Sequence, residues 1–479
     1  MKIAGVIIVL IVLVAVIAIY LNRRTDYEPG SFKDWVKNPE ARSSAEEYYR
    51  QRESLTVPDD ISDDEIRLMV SKLFNQKDED FNFERLKLLG EKATPFLIES
   101  LSDPRMDQMT FGDLEHSMDA NSPFERVCDL LDPLCPTDAV EPLIRFSSHQ
   151  DEDFRKLAAL VLGKIASQSC IDPVSQLLDD EDDYVRSYAM MGVGRALEEN
   201  RGEQEFFSAI FGPLVPLLDR DDTSVSGDAP FLLIDIDSEK ARSVLLSDQY
   251  FSIENRNLHD IIRALNVREF SIPHPQLLPL LKALEPKCTE YPFSYQYAEA
   301  LIAYARNPDK NAAEVIDRAA SSADENVQEA AGKALSILEG LDSPGQVVYA
   351  AYRTGGMDSL TEPQQYWMVI REYDAQVRNG GHSQYFVNPY GDDWQVALSG
   401  LRAIGAESRA RILSQACELF GDEGPSRDNE ARHKQLAAFN KKKDQSLSDL
   451  DNQYFDEEEN VELLLHRYAI KNKSHFAKD

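Results

Sequence analysis

Two ten-residue segments of this chain align without a gap, and their spacing limits the possible folds more than any other feature. "FRKLAALVLG" (Phe154 to Gly163) and "VRSYAMMGVG" (Val185 to Gly194) share Arg155/Arg186, Ala158/Ala189 and Gly163/Gly194 at an offset of 31 residues. A period of roughly 20–50 residues marks arrays in which each helical hairpin buries its apolar face only by stacking on the next. A third copy, "VQEAAGKAL" (Val327 to Leu335), places Ala331 where Ala158 and Ala189 fall. Each copy follows acidic residues, Asp151-Glu152-Asp153, Asp179 to Asp183, and Asp324-Glu325. Helix N-termini are stabilised by side-chain acceptors and negative charge at such positions.

The segments "AVEPLIRFSS", "CIDPVSQLLDD" and "FGPLVPLLDRDD" each set a proline near a helix start and then leucines at core spacing. "FERLKLLGEKATPFLIESLSDP" has the same cadence. These residues resemble HEAT repeats of the short bacterial type, also found in phycobilisome lyases. The resemblance runs over about residues 84–200 and returns over 260–340. It implies that Arg155 and Arg186 pack against neighbouring acidic turns. Two stretches break the cadence: "APFLLIDIDSEKA" reads as a short strand or a degenerate helix, and "SIPHPQLLPLLKAL" as a helix after a Pro-His-Pro turn.

At 479 residues the chain exceeds one ordinary core, so several domains or an array are expected. Its 84 acidic against 51 basic residues give a net charge of -33, which repels nucleic-acid phosphates and favours basic partners or cations. No direct contact with nucleic acid is therefore expected. The five cysteines are odd in number and unclustered, which argues against zinc ribbons and disulfide frameworks and for reduced thiols. Ile3 to Leu21 is an uncharged apolar run, long enough as a helix for a bilayer core. We read it as a single-pass N-terminal anchor, with the cysteines favouring a cytoplasmic body.

Near Gly340 the cadence stops. Thr361 begins a capping box with Gln364, and Tyr366, Ile370, Tyr373 and Val377 define one face of a helix running to about Asn379. There "NGGHSQYFVN" (Asn379 to Asn388) begins. Asn-Gly-Gly suits a helix stop because glycine adopts the left-handed conformation without a Cβ clash. "HSQYFVN" can add one helical turn and "PYGDD" a loop, with Asp392 or Asp393 capping a helix through Ile404. Helices are expected over Ser408 to Phe420 and from about Asp428 and Val461.

The order "NGG-x-SQYF-x-N", then Ala397-Leu398 to Leu401 and Ile404-Gly405-Ala406, then Ala410, Leu413, Ala416 and Phe420, carries a second resemblance. It continues through Tyr454-Phe455 and Tyr468, Asn472 and Phe476. Together these residues resemble the C-terminal domain family named for a bacterial DNA-mimic protein. That resemblance implies an all-α domain, a homodimer, and binding of a basic transcription factor through DNA-like negative charge. His382 stands where the pattern has a hydrophobic residue, usually phenylalanine.

DNA mimicry needs carboxylates spaced like phosphates. Residues 341–479 hold 22 acidic and 16 basic positions, and Asp456 to Glu459 is the best local run. A phosphate loop is disfavoured because Gly380-Gly381 follows a helix and lacks the G-x-x-x-x-G-K-[ST] order. No metal-ligand spacing occurs, and no cofactor is implied.

The expected architecture is all-α: an anchor (1–24), a juxtamembrane linker (25–60), a HEAT-like α-solenoid (61–340) and a small irregular helical domain (341–479). The expected function is protein binding by a scaffold or adaptor rather than catalysis. Recognition is expected through Asn379, Gly380, Gly381, Ser383, Gln384, Tyr385, Phe386 and Asn388. Tyr385 and Phe386 are expected to be core on one side and contact surface on the other. The rival reading is a hydrolase or lyase-like enzyme around the same motif, using Ser383, His382 or Asp392 and Asp393, with a base such as His433 or His466.

Overall fold

Acidic N-caps set the helix starts in this chain. Asp151 accepts from the Asp153 amide, Asp182 from Val185 and Asp324 from Val327, at 3.0–3.1 Å, so all three repeat copies begin at the acidic turns. The computed structural model describes residues 55–74, 79–106, 122–220 and 227–477. Every regular element among them is helical, including Ala229–Ile236, which the sequence left open between strand and helix. The chain forms two compact units, Met1–Tyr250 and Phe251–Asp479.

In the first unit the helices are α1 (Asp63–Lys72), α2 (Glu79–Leu89), α3 (Thr94–Ser100), α4 (Pro123–Leu131), α5 (Val140–Ile144), α6 (Glu152–Ile165), α7 (Ile171–Leu177), α8 (Asp183–Glu198), α9 (Gln204–Leu214), α10 (Ala229–Ile236) and α11 (Ser238–Leu245). The two aligned segments lie on α6 and α8, which pack closely at glycine. A Cβ on Gly163 would stand 3.1 Å from Gly192 Cα, and one on Gly192 would run into the Leu160 carbonyl. The aligned Gly194 instead faces a leucine side chain. At the start of α6, Phe154 forms a cluster with Phe124 and Phe146, ring centroids 4.2–5.8 Å apart.

Arg155 reaches Asp180 through two parallel bonds of 2.8 and 2.9 Å and donates to the His149 carbonyl. Arg186 donates to the Asp180 and Glu181 carbonyls at 2.6 and 3.0 Å. Both arginines are nearly buried: Arg155 ties its hairpin to the next acidic turn, as the repeat resemblance implied, while Arg186 closes the acidic turn that precedes its own helix.

In the second unit the helices are α12 (Leu258–Val267), α13 (His274–Leu284), α14 (Phe293–Arg306), α15 (Ala312–Ala319), α16 (Glu325–Leu338), α17 (Pro344–Gly355), α18 (Glu362–Val387), α19 (Trp394–Ile404), α20 (Glu407–Glu418), α21 (Asn429–Ala437), α22 (Lys441–Asp456) and α23 (Val461–Lys471). Helix α22 was not anticipated, because its polar sequence buries only Leu447, Leu450 and Tyr454. Helices α12, α14, α16 and α23 pack in succession. A Cβ on Gly332 of α16 would stand 3.0 Å from Leu463 Cα, and Ser336 bonds His466 at 2.7 Å. The change of sequence pattern near Gly340 thus falls inside this unit.

The localisation expected from the N-terminus requires correction. Among the described residues no helix is long and apolar enough to cross a membrane, so a single-pass anchor is not supported. Ile3 to Leu21 lies outside those residues.

Candidate functional site

Helix α18 is the axis of the C-terminal region. Thr361 donates its amide to Gln364 Oε1 at 2.9 Å, forming the capping box, and Gln364 Nε2 donates to the His475 carbonyl at 2.7 Å. Ile370, Tyr373 and Val377 are wholly buried along the predicted face. The helical path breaks at Gly380 (φ -161°, ψ 27°) and Gly381 (φ 70°, ψ -177°), then resumes for one turn through Val387. Asn-Gly-Gly therefore interrupts the helix where the sequence placed a stop. Gly381 occupies backbone space open essentially to glycine alone.

Three side chains hold the break, two of them buried and the third, Asp451, half-buried. The Asp451 carboxylate accepts from the His382 amide at 2.8 Å and lies 2.5 Å from His382 Nδ1. A carboxylate is acceptor-only, so Nδ1–H donates to it, and the opposite Nε2 lies within hydrogen-bond distance, 3.0 Å, of the Tyr373 hydroxyl. His382 and Tyr373 are fully buried, and burial pushes the Tyr373 phenol well above its ordinary range, keeping it neutral and a donor. Tyr454 is held up in the same way and donates to Asp374 at 2.5 Å. The departure from phenylalanine at position 382 is thus explained: the imidazole links α18 to α22.

The expected recognition residues divide into two groups. Tyr385 and Phe386 are fully buried, packed against Tyr373 and Phe420, so neither presents a contact face. Gly381 is buried as well. Asn379, Gly380 and Ser383 are exposed, while Gln384 and Asn388 are half-buried. Gln376 Oε1 accepts from Gln384 Nε2 at 3.0 Å and from Asn388 Nδ2 at 2.5 Å, and Asn379 Nδ2 donates to Gln384 Oε1 at 3.1 Å. These amides form one hydrogen-bonded ribbon along the surface of the kink.

Sequence reading missed Arg432, whose guanidinium is wholly buried. It donates to the carbonyls of Phe386 (2.7 Å), Ser426 (2.6 Å) and Asn388 (2.9 Å), and its Nη2 stands 2.7 Å from Asp392. Asp392 is therefore an ion-pair partner. Asp393 takes the N-cap position of α19 without a side-chain cap bond. No local signal marks Arg432 or Asp451, which meet the motif from 46 and 69 residues away.

The acidic run is partly engaged inside the domain. Glu459 accepts the Ser408 and Arg409 amides at 2.8 and 3.0 Å, capping α20, and Glu457 pairs with Arg411 at 3.0 Å. Asp456 and Glu458 are exposed. Next to them a polar recess of about 430 Å³ is lined by Glu325, Arg378, Tyr454, Phe455 and Glu457 to Glu459. Phe455 is 55% exposed at its rim, and Arg378, which precedes Asn379, joins the recess to the kink.

The histidines that the enzyme reading named are each engaged by other groups. His382 is occupied by Asp451 and Tyr373, His433 Nε2 bonds the Val387 carbonyl at 2.6 Å, and His466 Nδ1 bonds the buried Ser336.

Residues 358–472 match the family described as DMP19-like protein, and residues 125–194 match HEAT repeats. Both matches fall where the sequence resemblances placed them. No curated protein matches the chain. HEAT repeats and a DMP19-like domain fit a helical protein-interaction scaffold.

Proposed function

We propose that this chain is a scaffold whose DMP19-like region captures a basic protein partner at the surface joining the kink of α18 to the acidic recess. One observation carries the reading: the buried half of the motif is pinned by Asp451 and Arg432, while Asn379, Ser383 and the Gln384–Gln376–Asn388 ribbon lie at the surface. A polar edge fixed in advance loses little entropy on binding. The acidic residues at the recess and the chain's charge of -33 favour a basic partner, including a DNA-binding protein. A homodimer belongs to the same proposal, as does the division at residue 340 between array and terminal domain.

The test is capture of partners from the cell's own extract by the intact chain, compared with Gln384→Ala/Asn388→Ala and with Glu458→Lys. The expected outcome is loss of a basic partner with both variants. Binding should weaken steeply with salt and compete with duplex DNA if the partner's DNA-binding face is engaged. Capture unaffected by either variant refutes this surface as the binding site.

A further inference from the structure

A second concavity of the unit 251–479 lies away from the kink, where the start of α17 meets α18 and α23. It measures about 330 Å³, and its walls include Lys333, Gly345, Gln346, Tyr349, Trp367 and Arg371. The Trp367 indole is 1% exposed, yet its Nε1–H has no hydrogen-bond partner among the described residues. Indole nitrogen is a donor only, so this buried group lacks an acceptor.

The remaining lining tells what kind of acceptor fits. Helix α17 begins at the groove with Ser343 to Gln346, and Ser343 makes no side-chain cap bond, so its first-turn amides face the groove without that acceptor. A Cβ on Gly345 would lie 3.4 Å from Arg371 Nη1 and 3.6 Å from Trp367 Nε1. Glycine thus leaves open a space bordered at once by the guanidinium, the indole N–H and the first turn of α17. The nearby acids do not fill it with strong bonds. Glu462 approaches Arg371 Nε only to 3.7 Å, and Asp342 turns to Arg306 at 3.2 Å. Burial, and then Arg371 and Lys333, push His466 down to about 3, so the imidazole on this wall stays neutral. In a chain with a net charge of -33, the groove gathers Lys333, Arg371 and the indole N–H beside Asp342 and Glu462.

We propose that this groove binds a carboxylate, supplied by a small organic acid or by the C-terminus of a peptide, between Trp367 Nε1–H, the Arg371 fork and the first turn of α17. A planar carboxylate matches the guanidinium fork and keeps an oxygen for the indole. Tyr349, 41% exposed, supplies an apolar wall for the group that follows it. This site is independent of the partner surface proposed above.

The test follows the indole N–H resonances of the ¹⁵N-labelled full chain, with the Trp367 signal assigned by Trp367→Phe. The probes are N-acetylglycine, N-acetylglycinamide, and N-acetyl-triglycine with a free or amidated C-terminus. The expected result is a saturable downfield shift of the Trp367 signal with both acids and with neither amide. Arg371→Gln should weaken binding about tenfold or more, as loss of a charge-assisted hydrogen bond predicts, while leaving the other indole signals in place as evidence of folding. Tighter binding of the peptide acid assigns the site to peptide termini, and equal binding assigns it to small acids. Amides that act like the acids, no shift up to about 10 mM, or unchanged binding by Arg371→Gln would each overturn the proposal.

Discussion

Replacing Gly381 by alanine tests the pinned kink at its least tolerant atom. At φ 70° and ψ -177° the backbone lies where a side chain costs about 1–3 kcal/mol in strain alone. The added Cβ would also stand 2.7 Å from Asp451 Cγ, against the carboxylate that receives the His382 amide and ring. Moving that carboxylate leaves at least one buried donor unpaired, worth a further ~1–3 kcal/mol. The combined loss, ~2–6 kcal/mol, is a large part of the ~5–15 kcal/mol that holds a domain together.

Gly380→Ala is the internal control. Its φ of -161° is ordinary extended backbone, and its Cβ would meet the Gln384 side chain, whose amide end can swing away and whose Cβ at 3.1 Å need give only slightly. The cost there should stay below ~1 kcal/mol. Urea unfolding followed by tryptophan emission reports on the region, because Trp367 and Trp394 flank the kink in sequence. Midpoints for the two variants that agree within error would refute the argument that Asp451 and the glycine conformation fix the kink.

Three other outcomes follow from the same geometry. Arg432→Met strips three carbonyls and Asp392 of a buried partner, and should destabilise the unit by ~3–5 kcal/mol in the same urea assay. Glu329 is pushed up to about 7, first by burial and then by Glu325 and Glu462, so the folded state binds extra protons between the usual value of 4.5 and 7. Its contribution is lost as pH rises through that window, and Glu329→Gln should raise stability at pH 8, above that window, by ~1–2 kcal/mol after solvent screening, with little gain below the usual carboxylate range, as melting at the two pH values would show. Gly192→Ala would force α6 and α8 apart at the Leu160 carbonyl and cost ~1–3 kcal/mol, whereas Gly194→Ala meets only Leu232 Cδ2 at 3.4 Å and should be nearly neutral by thermal melting.

Much of this was legible because it is local. Acidic N-caps, prolines in first turns and apolar spacing each act within one helical turn, so the three repeat copies and α18 appear at the expected places. The alignment of Gly163 with Gly194 was a less reliable guide. A motif match records spacing along one helix, but the glycine that lets two backbones meet, Gly192, is chosen by their crossing. Helix α22 escaped notice for a related reason: its polar face hides the few residues that dock it.

The same division runs through the opening motif. The sequence by itself determined that the chain is helical, that its first half repeats, and that the helix must break at Asn-Gly-Gly, since these depend on neighbours a few residues apart. Only the tertiary structure decided that Tyr385 and Phe386 face inward, that His382 serves Asp451 and Tyr373, and that Arg432 secures the far side. The Asp451 and Arg432 contacts join polar groups 69 and 46 residues apart, and no pattern within a single helix carries that information.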